Sequence, residues 1–154
     1  MSPRRISNGL VREAPSLRQD ETVAQAVRRI VASGLPALPV VDDQARLCGI
    51  FGEREFMAAL FPGYVGQLGY AGFVPRQLDD ALRKRAACGA EPVGKYMTTE
   101  HIDVSHDFSD VEVAETFLHH RVLIVPVTRD RRVTGVITRS DFFHRLAKRF
   151  LDAL

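Results

Sequence analysis

Part of this chain is written twice. The run from Asp20-Glu21-Thr22-Val23 to Leu38-Pro39-Val40 returns as Asp107-Phe108-Ser109-Asp110 to Val125-Pro126-Val127, so that Asp20 matches Asp107 and Pro39 matches Pro126, 87 positions on. Past the Pro-Val run the offset falls to 86, Gly49 matching Gly135, because the turn Asp42-Asp43-Gln44-Ala45-Arg46 is one residue longer than Thr128-Arg129-Asp130-Arg131. Turns absorb such length changes. Two copies of one supersecondary unit are therefore expected. A unit of roughly 50 residues buries too little apolar surface to stand alone, so the copies should share an interface about a pseudo-twofold axis.

Each copy opens a helix with the same chemistry. Thr22-x-x-Gln25 and Ser109-x-x-Glu112 fit a capping box, in which the hydroxyl and the side chain three residues on each satisfy one unpaired amide. Val23, Val27, Ile30 and Val31 form the apolar stripe of the first helix, which should end at Gly34; Val113, Ala114, Phe117 and Leu118 form that of the second. Leu38–Val41 and Leu123–Val127 then read as strands, followed after a polar turn by Leu47–Phe51 and Val133–Ile137. Proline cannot donate to a central ladder, so Pro39 and Pro126 predict strands at an edge or end. A second helix follows each time, with Phe56, Met57, Leu60 and Phe61 inward in the first copy and Phe142, Phe143, Leu146, Ala147 and Phe150 inward in the second. Short extended pieces around Ser16-Leu17 and His101–Val104 supply a first strand. The pattern is β-α-β-β-α twice, an α/β (α+β) fold of two small sheets, each packed by two helices. The units are expected at 10–61 and 93–149, with an insertion at 62–92.

The second copy carries a family likeness. Val93-Gly94-Lys95-Tyr96-Met97-Thr98 precedes the capped helix, Val125-Pro126-Val127 follows it, and the copy closes on Gly135-Val136-Ile137-Thr138-Arg139-Ser140-Asp141-Phe142-Phe143. This resembles a CBS domain, whose hallmark is a strand ending in Gly-h-h-Thr-x-x-Asp-h-h, with h apolar. The likeness spans 93–149 closely and 10–61 more loosely. It implies a free-standing tandem pair, a Bateman module, with regulatory clefts for AMP, ADP, ATP or S-adenosylmethionine and no required cofactor.

The residues of Thr138-x-x-Asp141 have their own chemistry. A strand that turns into a helix aims its first free amides, at Arg139, Ser140 and Asp141, toward an approaching anion. Thr138 adds a hydroxyl, and an ionised Asp141, acceptor-only, can take both hydroxyls of a ribose. Ile102, Val122 and Ile124 offer an apolar wall for adenine, and Arg139 a partner for a longer phosphate chain. The same spacing also makes a helix cap, and on spacing alone both readings stand. In the first copy Gly52 replaces the threonine and Glu55 the aspartate. Losing a charge-assisted hydrogen bond of roughly 1.5–3 kcal/mol would weaken binding about ten- to a hundredfold. The expectation is one good site at Thr138, Arg139, Ser140 and Asp141 and a degenerate one at Gly52, Arg54 and Glu55.

Between the copies, Pro62–Pro75 interleaves glycine with aromatics, which reads as packing across the repeat seam or as a lid or partner surface. Leu78, Leu82 and Ala86 fall at helical spacing and predict a helix over 77–87, with Arg83, Lys84 and Arg85 on its solvated face. The 21 basic and 19 acidic residues are intermixed, which argues against nucleic acid as a partner. No window approaches the roughly 18 unbroken apolar residues of a membrane span, and no signal-peptide pattern opens the chain. Cys48 and Cys88 have neither metal nor redox spacing, which suits a reducing cytoplasm. The histidines pair with no nucleophile, and a His101, Asp103, His106 metal site reads more simply as polar surface. The expected function is a non-enzymatic sensor of an adenosine-type ligand, a homodimer that signals to an unidentified protein target. A ligand-independent dimerisation or protein-interaction module is the alternative, supported by loss of the first Thr/Asp pair and opposed by retention of the second.

Overall fold

A computed structural model describes residues 5–62, 77–100 and 102–154. The first copy comprises β1 (Leu17–Arg18), α1 (Val23–Ser33), β2 (Ala37–Val41), β3 (Leu47–Gly52) and α2 (Glu53–Leu60). The insertion contributes α3 (Leu78–Arg85), and the second copy β4 (Val104–Ser105), α4 (Asp110–His119), β5 (Ile124–Arg129), β6 (Arg132–Thr138) and α5 (Arg139–Asp152). Two three-stranded sheets result, β1-β2-β3 and β4-β5-β6, each with its first strand parallel and its third antiparallel to the centre. The repeat extends to the irregularities. The ladder slips between Val40 and Val41 in one sheet and between Val127 and Thr128 in the other.

Local chemistry sets the helix ends. The Thr22 hydroxyl accepts from the Gln25 amide at 3.1 Å while the Gln25 side chain accepts from the Thr22 amide at 2.9 Å, and α1 ends at Gly34 with φ 71°. Ser109 caps α4 by accepting from the Glu112 amide at 3.2 Å. There the box is half-formed, because the Glu112 carboxylate turns toward the Ser109 hydroxyl instead.

Pro39 and Pro126 lie in the central strands, not at an edge. Each is tolerated because the short first strand pairs only from the next residue on, Leu17 with Val40 and Val104 with Val127. On that flank the proline meets no ladder. The apolar stripes also run differently from the expected ones. Val23, Ala26 and Ile30 face the core from α1 while Val31 points out, and Leu118, Met57, Phe143, Leu146 and Phe150 are exposed as well. Helix α5 buries only Phe142 and leaves Phe143, Leu146 and Phe150 outside the core. In α3 it is Ala81 that packs inward, with Leu78 and Leu82 exposed. Arg85 leaves the solvated face to donate to the Ala59 carbonyl at 2.9 Å and the Tyr96 hydroxyl at 3.2 Å, tying the insertion to the end of α2. The glycine-aromatic run at 63–75 and His101 lie outside the described residues.

The two copies share one core, in which Leu17, Leu38, Ile50 and Phe51 join Ile102, Ile124, Val125 and Ile137. At the pseudo-twofold axis the hairpins meet, Leu47 donating to the Arg131 carbonyl and Val133 to that of Ala45, both at 3.3 Å. Among the described residues no helix is long and apolar enough to cross a membrane.

Candidate functional site

Each third strand is crossed by the segment that leads into the other copy. Thr98, ahead of the second copy, exchanges two backbone hydrogen bonds with Ile50 of β3 at 2.8 and 2.9 Å. Its counterpart Arg12, ahead of the first copy, does the same with Val136 of β6, again at 2.8 and 2.9 Å. The motif glycines make room for this. A Cβ at Gly49 would stand 2.6 Å from the Thr98 carbonyl oxygen, and one at Gly135 would stand 2.8 Å from that of Arg12. Each cleft is therefore composite: the strand-to-helix turn of one copy faces the leader and first-helix end of the other.

The first cleft is open, with a volume of about 870 Å³. Arg54, Glu55, Met57 and Phe61 line one side; Tyr96, Thr98, His119, His120, Arg121 and Val122 of the other copy line the opposite one. Glu55 accepts from the Gly52 amide at 2.9 Å and the Thr98 hydroxyl at 3.1 Å. Burial pushes its carboxyl above the usual range, and these hydrogen bonds offset that only in part. The glycine at 52 has a steric cause. A Cβ there would come within 2.5 Å of the Pro36 carbonyl oxygen and 2.6 Å of the Ala37 Cα, so the threonine of the second copy has no space. Helix α2 consequently starts without a side-chain cap hydrogen bond.

The second cleft is divided. Thr138 caps α5, its hydroxyl accepting from the Asp141 amide at 3.1 Å, and the Arg139 amide is taken by the Leu123 carbonyl at 2.9 Å. Of the three amides expected to face an anion, two are thus already bonded. Asp141 holds the Arg12 guanidinium in two-pronged fashion, at 2.7 and 2.9 Å, with the two side chains 51% and 25% exposed. On one side of this bridge lies a hollow of about 440 Å³ lined by Arg12, Arg29, Ser33 and Leu35; on the other, one of about 330 Å³ lined by Leu10, Asp141, His144 and Lys148. By the repeat offset Leu35 corresponds to Val122, and by the matching bridges Arg12–Val136 and Thr98–Ile50 Leu10 corresponds to Tyr96. The two hollows are the halves of what is a single cleft in the first copy. Arg139 and Ser140 instead open onto a separate depression beside Glu53 and Phe143.

The expected wall residues are thus dispersed. Val122 lines the Glu55 cleft, whereas Ile102 and Ile124 are sealed in the core at 1% and 0% exposure, Ile124 opposite Thr138 in the ladder. Sequence reasoning built each site from one copy and so missed Arg12, Tyr96 and Thr98. The repeat offset does not supply the match: 87, the offset that holds ahead of the Pro-Val run, counted back from Thr98 lands on Val11, and it is the matching bridges Arg12–Val136 and Thr98–Ile50 that pair Arg12 with Thr98. Among the described residues no group of three or more His, Cys, Asp or Glu is placed to hold a metal.

A CBS domain family model matches residues 8–62 and 93–148. The inosine-5'-monophosphate dehydrogenase of Methanocaldococcus jannaschii is 23% identical over 137 residues, 88% of this chain and 22% of that protein. The chain thus spans under a quarter of that relative's length. Among solved structures, the CBS domain pair of protein MJ0100, in complex with 5'-methylthioadenosine and S-adenosyl-L-methionine, has a TM-score of 0.70 at 19% identity, over 95% of this chain and 98% of that one. CBSX2 of Arabidopsis thaliana, in complex with AMP, has a TM-score of 0.66 at 18% identity, over 96% and 99% of the two chains. At these identities the likeness is one of fold.

Proposed function

The chain belongs to the CBS domain family as a tandem pair, and from that premise we propose that it is a regulatory module, not an enzyme, that senses AMP, ADP, ATP or S-adenosylmethionine. The observation that carries this reading is the composite cleft at Glu55. Its 870 Å³ falls within the range of small-ligand sites. It sets a carboxylate able to accept ribose hydroxyls beside apolar Val122 and Met57, with Arg54, His119, His120 and Arg121 around it for phosphate. The Thr138–Asp141 turn is the corresponding site of the second copy. The AMP complex of CBSX2 and the S-adenosylmethionine complex of MJ0100 support an adenosine-type ligand in a pair of this shape.

A ligand in either cleft touches both copies, so occupancy biases how they sit against each other. Coupling of about 1–3 kcal/mol suffices for regulation. The exposed Phe143, Leu146, Phe150 and Leu151 on α5 form an apolar face suited to a second copy of this chain, through which occupancy reaches a homodimer or a protein target. That face also favours the second reading, a dimerisation or interaction module that needs no ligand. The unpaired cysteines fit work in a reducing cytoplasm.

The test is a thermal-shift panel of AMP, ADP, ATP and S-adenosylmethionine on wild type and Glu55→Ala. A ligand at 100 times its Kd adds about 2.7 kcal/mol, on the order of 5–10 °C for a chain of this size. Wild type is expected to shift with at least one of the four and Glu55→Ala to lose the shift. A flat panel would leave only the ligand-independent reading.

A further inference from the structure

The two clefts differ in one contact. Where Thr98 reaches Glu55 and leaves its cleft open, Arg12 grips Asp141 and cuts its cleft in two. We propose that Arg12 is an autoinhibitory latch: it competes with ligand for the Asp141 carboxylate, so that the pair presents one open nucleotide cleft and keeps the other in reserve. This rests on the proposed ligand class and adds an asymmetry to it.

The latch has a firm base and a movable tip. Its base is the strap of residues that leads into the first copy, whose Ile6 and Ser7 amides donate to the Asp110 carboxylate at 2.8 and 3.0 Å, with the Ser7 hydroxyl on the same group. Ile6, Ser7 and Leu10 are buried, and the backbone of Arg12 is pinned to Val136. The Arg12 side chain is half exposed, and among the described residues its guanidinium hydrogen-bonds to Asp141 alone. It can swing away without unseating the strap. Asp141, acceptor-only, can serve the guanidinium or the two hydroxyls of a ribose but not both fully. If the latched state holds about nine-tenths of the population, apparent affinity at Asp141 is roughly tenfold below its intrinsic value.

Calorimetric titration with AMP, ATP and S-adenosylmethionine of wild type, Arg12→Met and Arg12→Met/Asp141→Asn tests this. Arg12→Met keeps the apolar stem and removes the charge, and an unchanged melting temperature, give or take what one surface ion pair contributes, certifies its fold. Wild type is expected to bind one ligand per chain with any second event at least about tenfold weaker. Arg12→Met should show two events per chain, the second lost again in the double variant. An Arg12→Met isotherm identical to wild type, or a gain that survives Asp141→Asn, overturns the latch. When wild type binds and Arg12→Met gains nothing, the latch alone fails; when neither binds any of the three, the ligand reading fails with it.

Discussion

Restoring the threonine that the first copy lacks should damage the protein. Gly52→Thr supplies a hydroxyl at the start of α2, and replacing glycine by threonine at an N-cap is worth no more than a few tenths of a kcal/mol. Against this stands the space available. The new Cβ would sit 2.5 Å from the Pro36 carbonyl oxygen and 2.6 Å from the Ala37 Cα. Both are backbone atoms of the segment entering β2, and Pro36 is fixed further by accepting the Glu53 amide at 2.9 Å. No side chain can rotate out of the way, so β2 and β3 must separate at Ala37 and Gly52, which pair in the ladder. Overpacking of this kind costs typically 1–3 kcal/mol, and rigid neighbours put it near about 3. The net loss, about 2.5 kcal/mol, lowers Tm by roughly 5–10 °C. Urea titration and thermal melts of Gly52→Thr and Gly52→Ala measure it, and both should fall, since the Cβ alone makes the clash. A Gly52→Thr protein as stable as wild type would refute the steric account of this position. Nucleotide binding gained on top of undiminished stability would show that the glycine marks a lost site.

Three further outcomes follow from the same contacts. Because burial raises the Glu55 pKa above its ordinary 4.5, folding is favoured while Glu55 is protonated and opposed once pH exceeds the folded value; Glu55→Gln should therefore melt higher than wild type at pH 7, with the advantage vanishing below pH 4.5. Asp110 is disfavoured by burial, but bonds from the Ser7 hydroxyl and the Ile6 and Ser7 amides hold its pKa below 3.8. Its stabilisation is present above that pH and lost as pH falls through the folded value. Asp110→Asn should cost about 2 kcal/mol and speed hydrogen exchange at Ile6 and Ser7, which an unchanged exchange rate would contradict. On the proposed α5 contact between two copies, wild type should sediment as a dimer and Phe150→Glu, at a 62% exposed position, as a monomer, with the melting temperature within about 1 °C; a monomeric wild type would refute that contact.

The fold was legible because its signals are local and occur twice. The Thr22 box, the Gly34 stop and the two strand pairs of each copy are all written in short stretches whose chemistry acts on neighbouring residues. Which face of α5 meets the core was not legible, since Phe143, Leu146 and Phe150 are spaced like core residues and yet lie exposed, with Phe142 alone of the helix buried. The candidate site was legible in part. Glu55 and Asp141 occupy matching places in the two clefts, but the partners they meet, Thr98 and Arg12, come from segments 43 and 129 residues away. No spacing rule links such positions. Only the crossing of the two leaders does, and it depends on Gly49 and Gly135 lacking a side chain.

The most direct test of the account is a crystal structure of the protein grown with AMP. The account predicts AMP in the cleft between α2 and the leader of the second copy, its ribose hydroxyls on Glu55 and its phosphate toward Arg54 or Arg121, with the Arg12–Asp141 bridge intact in the other half. AMP bound at Thr138 and Asp141 while the Glu55 cleft stays empty would contradict it.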